Sequence, residues 1–205
     1  MAATASARQP TSRRAEQRDA TRERVYRAAL AGIARAGLGA ADVGAIAAEA
    51  GVARGTFYFH FPTMEHVLVD LERREELRIV AALERRAVPK GNLRAVFAAV
   101  LREVRAAERR LGPSLFRAML SIHFGATGPD GGRFDDHPLG VFIVEAVWEA
   151  RRRGRVDTGI DPVDVAVIFL SGLFALLTTR GAPGRVRDAM LDTYVKVVLD
   201  GVVRS

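Results

Sequence analysis

DVGAIAAEAGVARGTFYFHF, residues 42–61, is the stretch around which the rest of the chain is organised. Val43, Ile46, Ala47 and Ala50 recur at i, i+3, i+4 and i+7, which makes one apolar face of a short helix. Asp42 stands just before that run, where its carboxylate can cap the free N–H groups. Gly51 follows it, where a left-handed residue costs least. After Val52 and Ala53 comes a second short segment, Arg54 to His60, with a guanidinium, a hydroxyl, a phenol and an imidazole within about one and a half turns. A core helix has no use for such a face. A helix that reads the edges of base pairs in a major groove does.

Outward from this pair the pattern stays helical. Val25, Ala28, Ala29, Gly32, Ile33 and Ala36 line one face of a helix expected over about 19–36, stopped by Gly37 and Gly39. Pro62-Thr63 opens a long helix expected over 64–88, with Thr63 as cap, Glu65 in its first turn, and Val67, Leu68, Leu71, Leu77, Val80 and Leu83 as its apolar set. Asn92 starts another, with Leu93, Val96, Phe97, Val100, Leu101 and Val104 on one side, ending near Gly112-Pro113. Ser114 to Phe124 is short and apolar. Residues 125–138 are dense in Gly, Pro and Asp and read as the main loop. Leu139 to Arg153 is helical, with Val141, Phe142, Val144, Val147 and Trp148 expected inward. Asp161-Pro162-Val163-Asp164 is a strong helix start. No segment alternates like a strand, so the fold class is all-α: a three-helix N-terminal helix-turn-helix domain followed by a larger helical domain.

The chain has 205 residues, a formal net charge of +7 and no cysteine. Residues 1–60 hold nine arginines against five acids; the remaining 145 hold 22 basic and 19 acidic residues. Positive charge is thus gathered around residues 42–61, which suits a polyanionic partner. Without cysteine there is no disulfide framework and no thiolate metal site. The N-terminus has no apolar signal region, and the longest apolar run, 163–177, is too short to span a bilayer. A cytoplasmic protein with no membrane partner is expected.

With these residues in place, the chain resembles the tetracycline-repressor (TetR) family of transcriptional regulators over about residues 20–68. The matching positions are Ile46-Ala47, Ala50-Gly51-Val52, Gly55-Thr56, Tyr58, His60-Phe61 and Glu65. The resemblance implies a DNA-binding domain over 18–62 and a ligand-binding and dimerisation domain over 63–205, with a disordered basic arm over 1–17. Three positions depart from the pattern. Ala41, Ala53 and Met64 stand where polar or basic backbone contacts are usual, and fewer phosphate contacts mean weaker, less salt-dependent binding. Arg8, Arg13, Arg14 and Arg18 in the arm are expected to compensate by touching DNA; a merely solvated tail is the alternative.

The site residues follow. Arg54 is assigned to base reading, because its fork fits guanine O6 and N7. Thr56 and Phe57 are assigned to thymine methyl contacts, with core packing as the alternative for Phe57 and Phe59, and Gly55 to close backbone approach. Tyr58 and His60 are phosphate anchors by the resemblance, and Phe61 reads as core. In the larger domain the resemblance implies a small-molecule effector, and Phe97, Phe116, Met119, His123, Phe142, Trp148 and Phe174 are candidate lining residues, although each also reads as ordinary core. Such lining suits a hydrophobic or aromatic molecule. The last two helices, 162–179 and 185–202, are apolar on two sides, so a homodimer through them is expected, reading a palindromic double-stranded operator. No cofactor, metal or catalytic residue is expected: the histidines at 60, 66, 123 and 137 lack ligand spacing, and Asp135-Asp136-His137, which could bind a metal, reads more readily as a solvated loop. The alternative function is a helical small-molecule-binding or adaptor protein with weakened DNA binding.

Overall fold

The computed structural model describes residues 10–123, 136–178 and 184–203. Among these, eight helices form: α1 (Pro10–Ala36), α2 (Val43–Glu49), α3 (Arg54–His60), α4 (Met64–Arg85), α5 (Leu93–His123), α6 (Pro138–Arg152), α7 (Pro162–Thr178) and α8 (Gly184–Val202). The described residues hold no β-strand; Val156 and Val203 make one isolated antiparallel bridge. The chain divides into two compact units, one ending at Leu68 and one beginning at Val69. The loop expected over 125–138 falls mostly outside the described residues, as do the first nine residues and the turn at 181–183.

The first unit is built as its sequence pattern directs. Asp42 accepts the Ala45 N–H at 2.7 Å and caps α2. Gly51 takes a left-handed φ of 66° and turns the chain into α3. Ala53, at the head of α3, offers no side-chain cap. Val25, Tyr26, Ala28, Ala29 and Ile33 of α1 are buried with Ile46 and Ala47 of α2 and with Ala50, which caps its C-terminus. A Cβ on Gly32 would meet Ile46 Cγ1 at 3.0 Å, so the glycine is what lets α1 and α2 close. Arg35 and Glu49 pair across the same two helices at 2.8 Å. Two expectations change. α1 starts at Pro10, about nine residues before its expected start, because Pro is well placed in a first turn and nothing after it breaks the helix. Ala36, its last residue, is exposed.

The second unit keeps the expected helices and revises two faces. α5 runs through Gly112, where φ 75° and ψ 161° break it before Pro113. Its predicted face of Leu93, Val96, Phe97, Val100, Leu101 and Val104 is buried throughout. Asn92 caps it through the Ala95 N–H at 3.2 Å, and Asp161 caps α7 through the Val163 N–H at 2.8 Å. α8 buries Leu191, Val195 and Leu199 and exposes Val186, Met190 and Val197, the two-sided pattern read from the sequence. Its Tyr194 donates to the carbonyls of Ile168 and Phe169 in α7, over Gly172, where any Cβ would strike the ring at under 3 Å.

In α6, Trp148 is exposed rather than inward; Ile143, Ala146 and Ala150 take the buried positions beside it. In α4, Leu77 is half exposed, and the buried stripe is Leu71, Glu72, Glu75, Glu76, Ile79 and Leu83. Those positions are spaced as one helix face should be. The helix simply fills part of its inward face with glutamates. No helix among the described residues is long and apolar enough to cross a membrane.

Candidate nucleic-acid interface and helical cavity

α3 is seven residues long, so its faces are sharply divided. Phe57 is fully buried, in ring contact with Phe61 at 6.2 Å, and Phe61 in turn stacks on Tyr26 of α1 at 6.2 Å. These three aromatics anchor α3 in its unit. Phe57 therefore cannot meet a base, which corrects its assignment as a thymine contact. Phe59 is the exposed phenylalanine, 70% accessible, and stands beside Tyr58, 44% accessible. The sequence pattern carried the signal: Phe57 and Phe61 are i, i+4 neighbours on one face, and Phe59 lies between them on the other.

Arg54 and Gly55 are exposed and Thr56 is half-buried. Arg54 and Tyr58 are also i, i+4 partners, and the guanidinium sits 6.0 Å from the Tyr58 ring centre. The guanidinium donates a hydrogen bond to the Tyr58 oxygen, which raises the arginine's pKa further, so it stays a full cation. Backbone N–H groups of Ala45 and Gly44 hold the nearby Asp42 carboxyl below its usual range, with Arg54 adding to the effect. His60 is half-buried and edge-on to Phe59 at 5.1 Å. Burial lowers its pKa, and the cations Arg18 and Arg22 lower it further. It is thus a neutral N–H donor at pH 7.

The extension of α1 adds Arg18 to the helix that already held Arg22, and both reach the same place. The Arg18 guanidinium lies 5.8 Å over the Phe59 ring, and that of Arg22 lies 4.6 Å over Phe61. Such stacking holds a cation in place. The exposed group on this unit is therefore Arg54, Gly55, Tyr58 and Phe59, flanked by Arg18. That is a cationic and aromatic face suited to phosphates and base edges.

The second unit holds a small cavity of about 20 Å³, lined by Glu72, Glu75, Glu76, Ile79, Val104, Ala107, Phe116, Met119, Leu120, Leu139 and Phe174. Of the seven candidate ligand residues, Phe116, Met119 and Phe174 come together there. Phe97 instead stacks on Phe169 at 3.9 Å inside the core. Phe142 is buried beneath Lys90, whose ammonium lies 4.9 Å from its ring. Trp148 is on the surface under Arg151, and the His123 side chain lies outside the described residues.

Sequence reasoning missed the cavity's acidic wall. Glu75 pairs with Arg110, and Glu76 holds both His137 Nδ1 at 3.1 Å and the Leu139 N–H at 3.2 Å. The hydrogen bond to Glu76 raises the pKa of His137. The missed signal was phase: the spacing of Leu68, Leu71, Ile79 and Leu83 passes through 72, 75 and 76.

Comparison with known proteins agrees with this arrangement. Residues 25–71 match the family model of bacterial regulatory proteins, tetR family. No curated protein matches the sequence. Among solved structures, Thermus thermophilus FadR, a TetR family transcriptional repressor in complex with lauroyl-CoA, is 24% identical with a TM-score of 0.69, over 90% of this chain and 96% of that one. SmeT, the repressor of the Stenotrophomonas maltophilia multidrug efflux pump SmeDEF, is 21% identical with a TM-score of 0.61, over 90% and 91%. The ketosteroid transcriptional regulator KstR2 of Mycobacterium tuberculosis is 18% identical with a TM-score of 0.56, over 90% and 95%. At these identities the likeness is one of fold.

Proposed function

With residues 25–71 belonging to the tetR family of bacterial regulatory proteins, we propose that this chain is a ligand-responsive transcriptional regulator that binds a palindromic operator as a homodimer. The observation that carries the reading is the division of α3: Phe57 fixes the helix from within, and Arg54, Gly55, Tyr58 and Phe59 are left to face outward. Arg54 reads a guanine edge, Phe59 meets a thymine methyl, and Tyr58, His60 and Arg18 hold phosphates.

Dimerisation is supported by the outer sides of α7 and α8. Val163, Val167, Ile168, Val186, Met190 and Val197 are each 40–62% exposed, an unusual set for helices that are already packed on one side. A two-fold copy would cover them and give two reading heads.

The cavity among α4, α5, α6 and α7 supports the effector site. At about 20 Å³ it has room for one water-sized occupant, so a hydrophobic organic effector acts by selecting a more open form. FadR with lauroyl-CoA, which carries a long acyl chain, and SmeT with triclosan, which is aromatic, are complexes of the same fold.

Selection of bound duplexes from a random DNA pool tests the reading. An inverted repeat is expected, bound by a dimer, and Val167→Glu with Ile168→Glu yields a monomer that loses it. Absence of any selected sequence at low salt would instead favour a helical binding protein whose DNA contacts, at Ala41, Ala53 and Met64, have been lost.

A further inference from the structure

Glu72, Glu76 and His137 form a group the DNA-reading function does not use. Glu72 and Glu76 lie one turn apart on α4 and are 7% and 5% exposed. His137 is the residue just before α6 and brings its ring to them from the other side. One ligand atom from each lies within 4.8 Å of the other two. Two carboxylates drawn into one apolar neighbourhood repel each other and lose hydration. A shared cation relieves both costs.

The space beside them has a definite size. Glu72 and Glu76 border a cavity of about 20 Å³, too small for an organic molecule in this form, and His137 approaches them from outside it. The cavity's opposite wall is Phe116, Met119, Leu120 and Phe174, which exclude competing water. Ligand atoms around a tetrahedral ion at about 2.1 Å are about 3.4 Å from one another. His137 Nδ1 and Glu76 Oε1, 3.1 Å apart, already have nearly that spacing, and a Glu72 oxygen lies within 4.8 Å of both. The other Glu76 oxygen is fixed by the Leu139 N–H at 3.2 Å, the kind of outer support that orients metal ligands.

We propose that Glu72, Glu76 and His137 bind one divalent first-row transition metal ion of the Zn²⁺ class, fastening α4 to the start of α6. Two carboxylates and an imidazole are the O and N donors such ions accept, whereas Mg²⁺ prefers oxygen and retained water. The site stands apart from the DNA-reading proposal and is tested without DNA.

The untagged full-length protein, stripped of metal, is titrated with Zn²⁺ by calorimetry and with Co²⁺ by visible absorption. One ion per chain is expected, with a Co²⁺ spectrum of four or five O/N ligands and much weaker Mg²⁺ binding. Glu72→Gln and His137→Ala should each weaken Zn²⁺ binding at least tenfold while leaving the far-ultraviolet circular dichroism unchanged. His137 makes no side-chain cap to α6, so its removal leaves the helix start intact. Glu72→Asp, which keeps the charge, should bind more tightly than Glu72→Gln. The proposal is overturned by no saturable binding at micromolar Zn²⁺, by equal binding in the Glu72→Gln/His137→Ala double variant, or by Mg²⁺ binding as tightly as Zn²⁺ with no effect of His137→Ala.

Discussion

α3 and α4 follow one another in the chain and handle ionisable residues in opposite ways. α3 turns Phe57 inward and keeps Arg54 and Tyr58 outside, with Arg18 of α1 beside Phe59. α4 takes Glu72, Glu75 and Glu76 inward and leaves Leu77 half exposed. The first arrangement leaves cations solvated and ready for a polyanion. The second holds acids in a poor dielectric, where they are tolerable only with partners such as Arg110, His137 and the Leu139 N–H. Burial is therefore a better guide to role than residue type. A phenylalanine in the recognition helix is structural at 57 and available to a ligand at 59, and a glutamate in a surface-looking helix is internal.

The contrast can be broken most directly at the two phenylalanines. Phe57→Ala should destabilise the first unit by about 3–5 kcal/mol in urea denaturation, whereas Phe59→Ala should stay within about 0.5 kcal/mol and weaken DNA binding instead. Equal stability losses would erase the division of α3. Next comes the acidic wall. Glu76→Ala leaves the Leu139 N–H and His137 without their acceptor, and a loss of about 1–3 kcal/mol is expected from the same measurement. Arg54→Ala should cost about 1–3 kcal/mol of discrimination at one base pair in competition binding, while Tyr58→Phe lowers affinity evenly across sequences. Replacing Arg18 by Ala should reduce the slope of log affinity against log salt by about 1; an unchanged slope would remove the α1 extension from the interface.

The two histidines give the smallest and sharpest contrast. His60 has a lowered pKa in the folded unit, so the unfolded chain binds its proton more readily. The first unit should lose stability as pH falls through the unfolded value toward the folded one. His137 has a raised pKa. In the metal-free protein its contribution is complete below the unfolded value and is lost as pH rises through the folded one. Thermal melts followed separately for each unit between pH 5 and 8 should therefore shift in opposite directions for these two groups, and His60→Gln and His137→Gln should each flatten one of them.

Much of this was legible in the sequence for a simple reason. Turn and cap chemistry is local, so Asp42, Gly51, Asn92 and Asp161 could be assigned on sight and act as assigned. Apolar stripes were equally plain where every inward position was apolar, as in α5 and α8. Reading failed where the inward face held polar residues or the outward face apolar ones. Trp148 and Leu77 looked like core by type, yet neighbours at helical spacing fill the core instead. The acidic wall needed α4 and the start of α6 together, and they are some 60 residues apart in sequence. No local pattern carries that pairing. The cavity was half legible, since Phe116, Met119 and Phe174 were singled out and Glu72 and Glu76 were not.

Trp148 has a further consequence, which is optical. It is the sole tryptophan of the chain, nearly half exposed, with the Arg151 guanidinium 5.0 Å from its ring. Excitation at the red edge of the indole band therefore reports on the second unit alone. The first unit, whose only large chromophores are Tyr26 and Tyr58, stays dark at that wavelength. Tyr194, its phenol pushed up to about 12 by burial against α7, ionises late in an alkaline titration, and its ultraviolet change reports on the contact between α8 and α7. The protein thus carries separate colours for its two halves without any label being added.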